Sequence, residues 1–133
     1  MRVKSVAFSV VALAVLVAGC AATPTQEQIN AADYGPEVYQ YEAQTAAKGF
    51  FSHYLKDPLS AEYKFEQVHR GYYTDSVLTG GHLHGGYMLQ VSVNAKNAFG
   101  GYVGFRLYRF LIKDDKIVNV WRLEPSGSLH KIG

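Results

Sequence analysis

Several things are scarce in this chain, and each scarcity excludes a class of protein. There is one cysteine, Cys20, so no disulfide can form within the chain. There is no excess of charge: removing Arg2 and Lys4, which sit in a segment expected to be cut off, leaves eleven basic residues against eleven acidic ones. A mature chain near neutrality lacks the basic footprint of a nucleic-acid binder. The longest apolar run, from Val6 to Val17 and broken only by Ser9, falls short of the about 20 residues a membrane-spanning helix needs. Catalytic signatures are missing too: no Gly-x-Ser-x-Gly, no His-Glu-x-x-His and no phosphate loop occurs. The paired carboxylates Asp114-Asp115 lie between Lys113 and Lys116, the pattern of a solvated hairpin tip. The chain is therefore expected not to be an enzyme and to need no cofactor.

What is present suits a small packed domain. Of 133 residues, 48% are hydrophobic and 18% charged, enough for one core and one domain. Ten tyrosines, seven phenylalanines and one tryptophan favour strands around an aromatic core.

The first residues form an address. A basic start (Arg2, Lys4), an apolar middle and small residues before Cys20 make a signal-peptide pattern. Val17-Ala18-Gly19-Cys20 resembles the lipobox of bacterial lipoproteins, with valine where leucine is commoner. The resemblance implies cleavage before Cys20, diacylglycerol on its thiol and acylation (for example by palmitate) of the new amino end. Two or three acyl chains, at about 0.8 kcal/mol per buried methylene, make a stable bilayer anchor. Ala21 in place of aspartate implies, by the same resemblance, the outer membrane. The expected division is a signal peptide over 1–19, a lipidated tether over 20–33, one domain over 34–124 and a trailing tail over 125–133.

The spacing of Tyr39, Ala43, Ala46, Ala47, Phe50 and Tyr54 predicts an amphipathic helix between Pro36 and Lys56. Gly49 marks either close packing or a kink. The Asp57-Pro58 pair ends that helix, and Asp57 can cap the turn that follows. Four strands are expected after it. The first runs over 63–73, and a glycine-rich connection over 75–86 follows. Tyr87, Leu89, Val91 and Val93 alternate with polar residues in the second. The third covers 102–112, with a bulge near Tyr108-Arg109 where the apolar phase shifts. The fourth covers 117–123 after the Lys113–Lys116 turn. The fold expected is α+β: one amphipathic helix packed on a four-stranded antiparallel meander.

Two stretches carry the densest polar chemistry. One is Asp57-Pro58-Leu59-Ser60-Ala61, the other Asn94-Ala95-Lys96-Asn97-Ala98-Phe99-Gly100-Gly101-Tyr102-Val103-Gly104. Together they resemble a family of small, uncharacterised bacterial envelope proteins. The resemblance implies a shared fold and export, and no activity. Asn94, Lys96, Asn97, Gly100, Gly101 and Tyr102 admit two readings: a polar pocket in which Lys96 and glycine amides hold an anion, or a hairpin loop whose residues serve backbone geometry. His82 and His84, in Gly80-Gly81-His82-Leu83-His84-Gly85-Gly86, would share one side of an extended chain. As two ligands without a second cluster they are weak metal candidates, and a solvated loop is the plainer reading. The expected function is a lipid-anchored, non-catalytic accessory or adaptor with an envelope protein partner. A small-ligand or metal-binding protein is the alternative.

Overall fold

A computed structural model describes residues 23–133. The signal peptide, Cys20 and its expected acylation lie outside the described residues. Among the described residues the architecture is α+β, with six strands in one antiparallel sheet. In chain order the elements are α1 (Gln26–Ala31), α2 (Gln40–Tyr54), β1 (Glu62–Phe65), β2 (His69–Thr74), β3 (Leu83–Asn94), β4 (Arg106–Lys113), β5 (Lys116–Leu123) and β6 (Leu129–Lys131). The sheet order is β1-β3-β4-β5-β6, with β2 following β1 along the same edge of β3.

The helix α2 seats on the sheet through Ala43, Ala47 and Phe51, all fully buried. They lie at i, i+4 and i+8, so they form one stripe. The two alanines allow close approach, and Phe51 fills the space between strands. Its ring meets Tyr108 edge-on at 4.9 Å and Phe110 at 5.5 Å. Leu89, Val91 and Val93 of β3, Tyr108, Phe110 and Ile112 of β4 and Val120 of β5 complete the core. Burial raises the Tyr108 phenol above the usual tyrosine range.

Several expectations need correction. Within the expected tether, Gln26–Ala31 is helical, closed by a reciprocal cap in which Gln28 N–H donates to Thr25 Oγ1 and Thr25 N–H to Gln28 Oε1. Six residues show no apolar period, and none of them is buried, so the pattern was silent there. The main helix starts at Gln40, not Pro36, because the chain must stay extended to bury Val38. The tyrosines around this start divide: Tyr34 is buried, whereas Tyr39 and Tyr41 are exposed.

The first expected strand is two strands. Glu66, Gln67 and Val68 break it, and the Gln40 side chain holds the break. Its Nε2 donates to Glu66 O at 3.0 Å, and its Oε1 accepts from Val68 N–H at 2.7 Å. No bulge occurs at Tyr108-Arg109; β4 pairs with β3 without interruption from Arg106 to Ile112. Tyr108, Phe110 and Ile112 share the α2 face, and Phe105, which suggested a phase shift, precedes the strand. The irregularity lies instead between β4 and β5, where Leu111 pairs with Asn119 and Ile112 with Ile117, leaving Val118 unpaired. Asp114 and Asp115 do form the hairpin turn, with φ of 52° and 58°.

The expected tail is part of the sheet. β6 pairs with β5, and Val120 N–H donates to Gly133 O at 2.7 Å. The expected glycine-rich connection also ends early, since β3 begins at Leu83 and includes Gly85 and Gly86. Both glycines serve close approach. A Cβ on Gly85 would lie 2.8 Å from Asp33 O, and one on Gly86 would lie 2.7 Å from Ile112 O and 2.8 Å from Leu111 Cδ1. Gly49 meets nothing within 4 Å, so it neither packs closely nor kinks α2 into two pieces.

The segment between the helices is latched to the β4–β5 turn: Lys113 Nζ donates to Asp33 Oδ2 at 2.8 Å. That hydrogen bond, with one from Gly35 N–H, holds the Asp33 carboxyl below the usual carboxylate range. The latch is therefore complete at neutral pH and is lost as pH falls through the lowered Asp33 value. In an NMR titration, Lys113→Met should move the Asp33 transition upward; an unmoved transition would contradict the latch.

The glycines supply a second test. Gly86→Ala should destabilise the protein by about 1–3 kcal/mol through overpacking against β4. Gly49→Ala should stabilise it by about 0.5–1 kcal/mol. Urea unfolding of both variants checks the contrast, and equal effects would contradict it.

Candidate functional site

The two polar stretches meet in space. Pro58–Ser60 forms a single 3-10 turn, with proline where the missing N–H costs nothing. Its hub is Ser60: the hydroxyl donates to Asp57 O at 2.8 Å and accepts from Lys96 N–H at 2.9 Å. Ser60 O in turn accepts from the Tyr102 hydroxyl at 3.2 Å. The Asp57 side chain makes no capping hydrogen bond, so the expected cap is replaced by the Ser60 hydroxyl on the Asp57 carbonyl. A nucleophilic Ser60 is disfavoured, because its hydroxyl is occupied by backbone on both sides.

The 94–105 loop joins β3 to β4 and folds back on itself. Lys96 and Tyr102 form an isolated bridge. Asn97 Oδ1 accepts from Phe99 N–H at 2.9 Å and Gly101 N–H at 3.1 Å. Asn94 Oδ1 accepts from Gly104 N–H at 3.0 Å, and Gly100 N–H donates to Asn97 O at 3.0 Å. Gly100 and Gly104 take φ of 80° and 89°, a region that glycine enters without strain. The residues Asn94, Lys96, Asn97, Gly100, Gly101 and Tyr102 are thus brought together, but the glycine amides point their hydrogens inward. An anion here would rest on the Lys96 ammonium, which lies 5.5 Å from the Tyr102 ring centre.

What this rigid end presents outward is apolar. Leu59 is 100% exposed and Phe99 97%. Tyr102, Val103 and Phe105 are also exposed on the same loop, and Lys64 Nζ stands 4.1 Å over the Phe105 ring. The hydrogen bonds of Ser60, Asn97 and Asn94 hold these turns in a shape that leaves Leu59 and Phe99 outside. A motif reading centred on asparagine and glycine passes over them; the signal was Leu59 and Phe99 standing in turn stretches with no strand or helix period to bury them.

His82 and His84 do not converge. His84 Nε2 contacts Asp75 Oδ2 at 2.8 Å, and its ring stacks on Tyr73 at 4.6 Å. Tyr73 meets Trp121 edge-on at 5.2 Å. The His82 ring folds over Gly80. His53 is in the last turn of α2 and His69 begins β2. Among the described residues no three His, Cys, Asp or Glu side chains gather as a metal site would need.

A cavity that the motifs did not indicate opens beside the β1–β2 break. It measures about 480 Å³, and its walls include His69, Arg70, Met88, Gln90 and Arg109. The clue was the polar phase of two apolar strands, where Gln90 and Arg109 stand opposite each other.

No protein-family model, curated protein or solved structure matches the chain.

Ser60→Ala removes the acceptor for Lys96 N–H and should cost about 1–2 kcal/mol. Amide exchange at Lys96 should accelerate with it. Unchanged exchange at Lys96 would show that Ser60 does not hold the loop.

Proposed function

We propose that this chain is a lipid-anchored envelope lipoprotein of the outer membrane, a non-catalytic adaptor that docks a protein partner on its Leu59–Phe99 end. The observation that carries the reading is the exposure of Leu59 and Phe99 on a loop pair fixed by Ser60. Burying a leucine or phenylalanine side chain is favourable by about 1.5–3 kcal/mol, and here no loop ordering opposes it.

The anchor argues for a protein rather than the bilayer as the occupant. Cys20 is three residues from Thr23, a reach of about 10 Å when extended. Thr23 and Pro24 line a hollow with Gly80, Gly81, His82 and Leu83, beside the first residue of β3. The docking loop follows the last residue of β3, twelve residues along. At about 3.3 Å per residue that separation is roughly 36 Å. An acyl anchor at Cys20 therefore holds one end of β3 near the membrane and leaves the other free to stand off it. Tyrosine and phenylalanine at that free end suit a protein interface.

The anchor is tested first. Cys20→Ala should lose its fatty-acid label and leave the membrane fraction; continued partition with membranes would overturn the anchor. A photo-crosslinking side chain placed at Phe99 in intact cells should then capture one reproducible protein, while the same probe at exposed Tyr41 should not. The double variant Leu59→Ser, Phe99→Asp should reduce a partner's capture by about tenfold or more with Tm unchanged. Equal capture from both probe positions, or none from Phe99, would overturn the docking surface.

A further inference from the structure

We propose that the free edge of β2 is a self-pairing surface, on which two copies of this chain join antiparallel about a two-fold axis through Tyr72. This inference goes beyond the docking reading and does not rest on it.

The strand pairing shows which backbone groups are unclaimed. β2 pairs with β3 on one side and, among the described residues, with no strand on the other. Asp75 N–H donates to His82 O at 2.9 Å, extending the ladder beyond Thr74. In an antiparallel ladder alternate residues turn N–H and C=O to the same neighbour. Gly71 and Tyr73 therefore bond to β3, as Asp75 does, and Arg70, Tyr72 and Thr74 point their backbone groups outward. The Gln40 amide closes the edge at Glu66 O and Val68 N–H but takes none of these outward groups. Open space borders the strand, since the groove of about 480 Å³ is lined in part by Arg70, Gly71 and Tyr72.

This edge lacks the protection that the others have. Exposed edges are ordinarily blunted by shortness, by proline or by charge, lysine above all. β6 has three residues, one of them Lys131, and β1 carries Glu62 and Lys64 among its four. β2 has six residues and no proline, lysine or acid. Its arginine, Arg70, is laid 4.1 Å over the Tyr34 ring on the α2 face.

The edge fits a second copy of itself. With Tyr72 opposite the second copy's Tyr72, Arg70 faces Thr74, Gly71 faces Tyr73 and His69 faces Asp75. All three outward residues then meet outward residues, and every other antiparallel register matches fewer of them. No like charges oppose, an acid faces an imidazole, and the two Tyr72 rings form an aromatic cross-strand pair. Such isologous pairing consumes the edge of both copies and closes at a dimer. An anchor at Cys20 fits the same axis. Tyr72 pairs with Gly85, two residues from Leu83 in the Thr23 hollow. Both tethers would leave near the centre of the pair, and the Leu59–Phe99 ends would lie at its two outer ends.

The test is cysteine trapping of the full chain in its native envelope under a copper oxidant. The unaltered chain, whose one cysteine is Cys20, is the control. Directly opposed Cα atoms lie about 5.5 Å apart, within disulfide reach. Tyr72→Cys should give a disulfide-linked dimer that the unaltered chain and Tyr41→Cys do not. Arg70→Cys and Thr74→Cys should give none alone, since like positions are about 13 Å apart, but should link to each other when co-expressed. That mixed pair keeps Tyr72, so it decides the matter even where Tyr72→Cys fails to fold. Thr74→Pro removes an outward N–H and leaves the β3 ladder whole, so adding it to Tyr72→Cys should abolish the dimer with Tm unchanged. No dimer from either Tyr72→Cys or the mixed pair, an equal dimer from Tyr41→Cys or from Arg70→Cys alone, or a dimer that survives Thr74→Pro would overturn the proposal. So would a photo-crosslinking side chain at Thr74 that captures a different protein and no second copy, which would assign the edge to a foreign strand. Adding Leu59→Ser and Phe99→Asp to Tyr72→Cys should leave the dimer intact, which separates this result from that of the docking surface.

Discussion

The constraint on which the molecule depends is the two-sidedness of β3. Three strands pair with it: β1 and β2 along one edge, β4 along the other. With its backbone satisfied on both edges, a strand can vary only in what each face presents. Leu89, Val91 and Val93 face α2 and are buried, so their identities are fixed by the core. Met88, Gln90 and Ser92 face the other way, and that face is where polar chemistry becomes available. A one-residue slip of β3 would exchange the two faces. The Gln40 amide on the β1–β2 break and the small residues at Gly85 and Gly86 act together to prevent it.

The face away from α2 is not purely solvent-facing. Leu111 and Met88 are buried there, and so is Asn119, at 1% exposed with its Nδ2 finding no hydrogen-bond partner among the described residues. An orphaned buried amide costs about 1–3 kcal/mol. Its position follows from the irregularity beside it: leaving Val118 unpaired re-phases β5, so that Val120 joins the α2 core while Asn119 opposes Leu111. The bulge thus gives β5 its core contact at the cost of one polar group turned inward.

The regions singled out follow the length of β3: the hollow of Thr23 and Leu83, to which the proposed Cys20 anchor would attach, is at one end, and the Ser60-held loops are at the other. Each region uses a different kind of order. The loops are rigid because asparagine side chains replace backbone partners. On the sheet face away from α2, order comes from a side-chain chain in which Arg109 donates to Gln90 and Gln90 to Glu66. Loops already held by hydrogen bonds would have little left to order on association.

Much of the fold was legible in the sequence. The helical period of α2, the alternation in β3 and the Asp114-Asp115 turn are local signals that folded as elements, although the α2 stripe is only partly the one its spacing suggested: Ala43 and Ala47 are buried, but Phe51 rather than Tyr54 is the fully buried ring, and Tyr39 is exposed. The misreadings fell where a segment's structure depends on distant partners. β6 exists because β5 offers it an edge, and the first strand breaks because Gln40, from a helix, takes its amides. The candidate site divides in the same way. That the Asp57–Ala61 and Asn94–Gly104 stretches form turn and loop could be read from their residue types, while Cys20 was singled out by its resemblance to a lipobox. That they meet at Ser60 required the chain to be closed on itself. Sequence spacing determines which face a side chain occupies. Only strand pairing, which joins residues far apart in the chain, decides which side chains become neighbours.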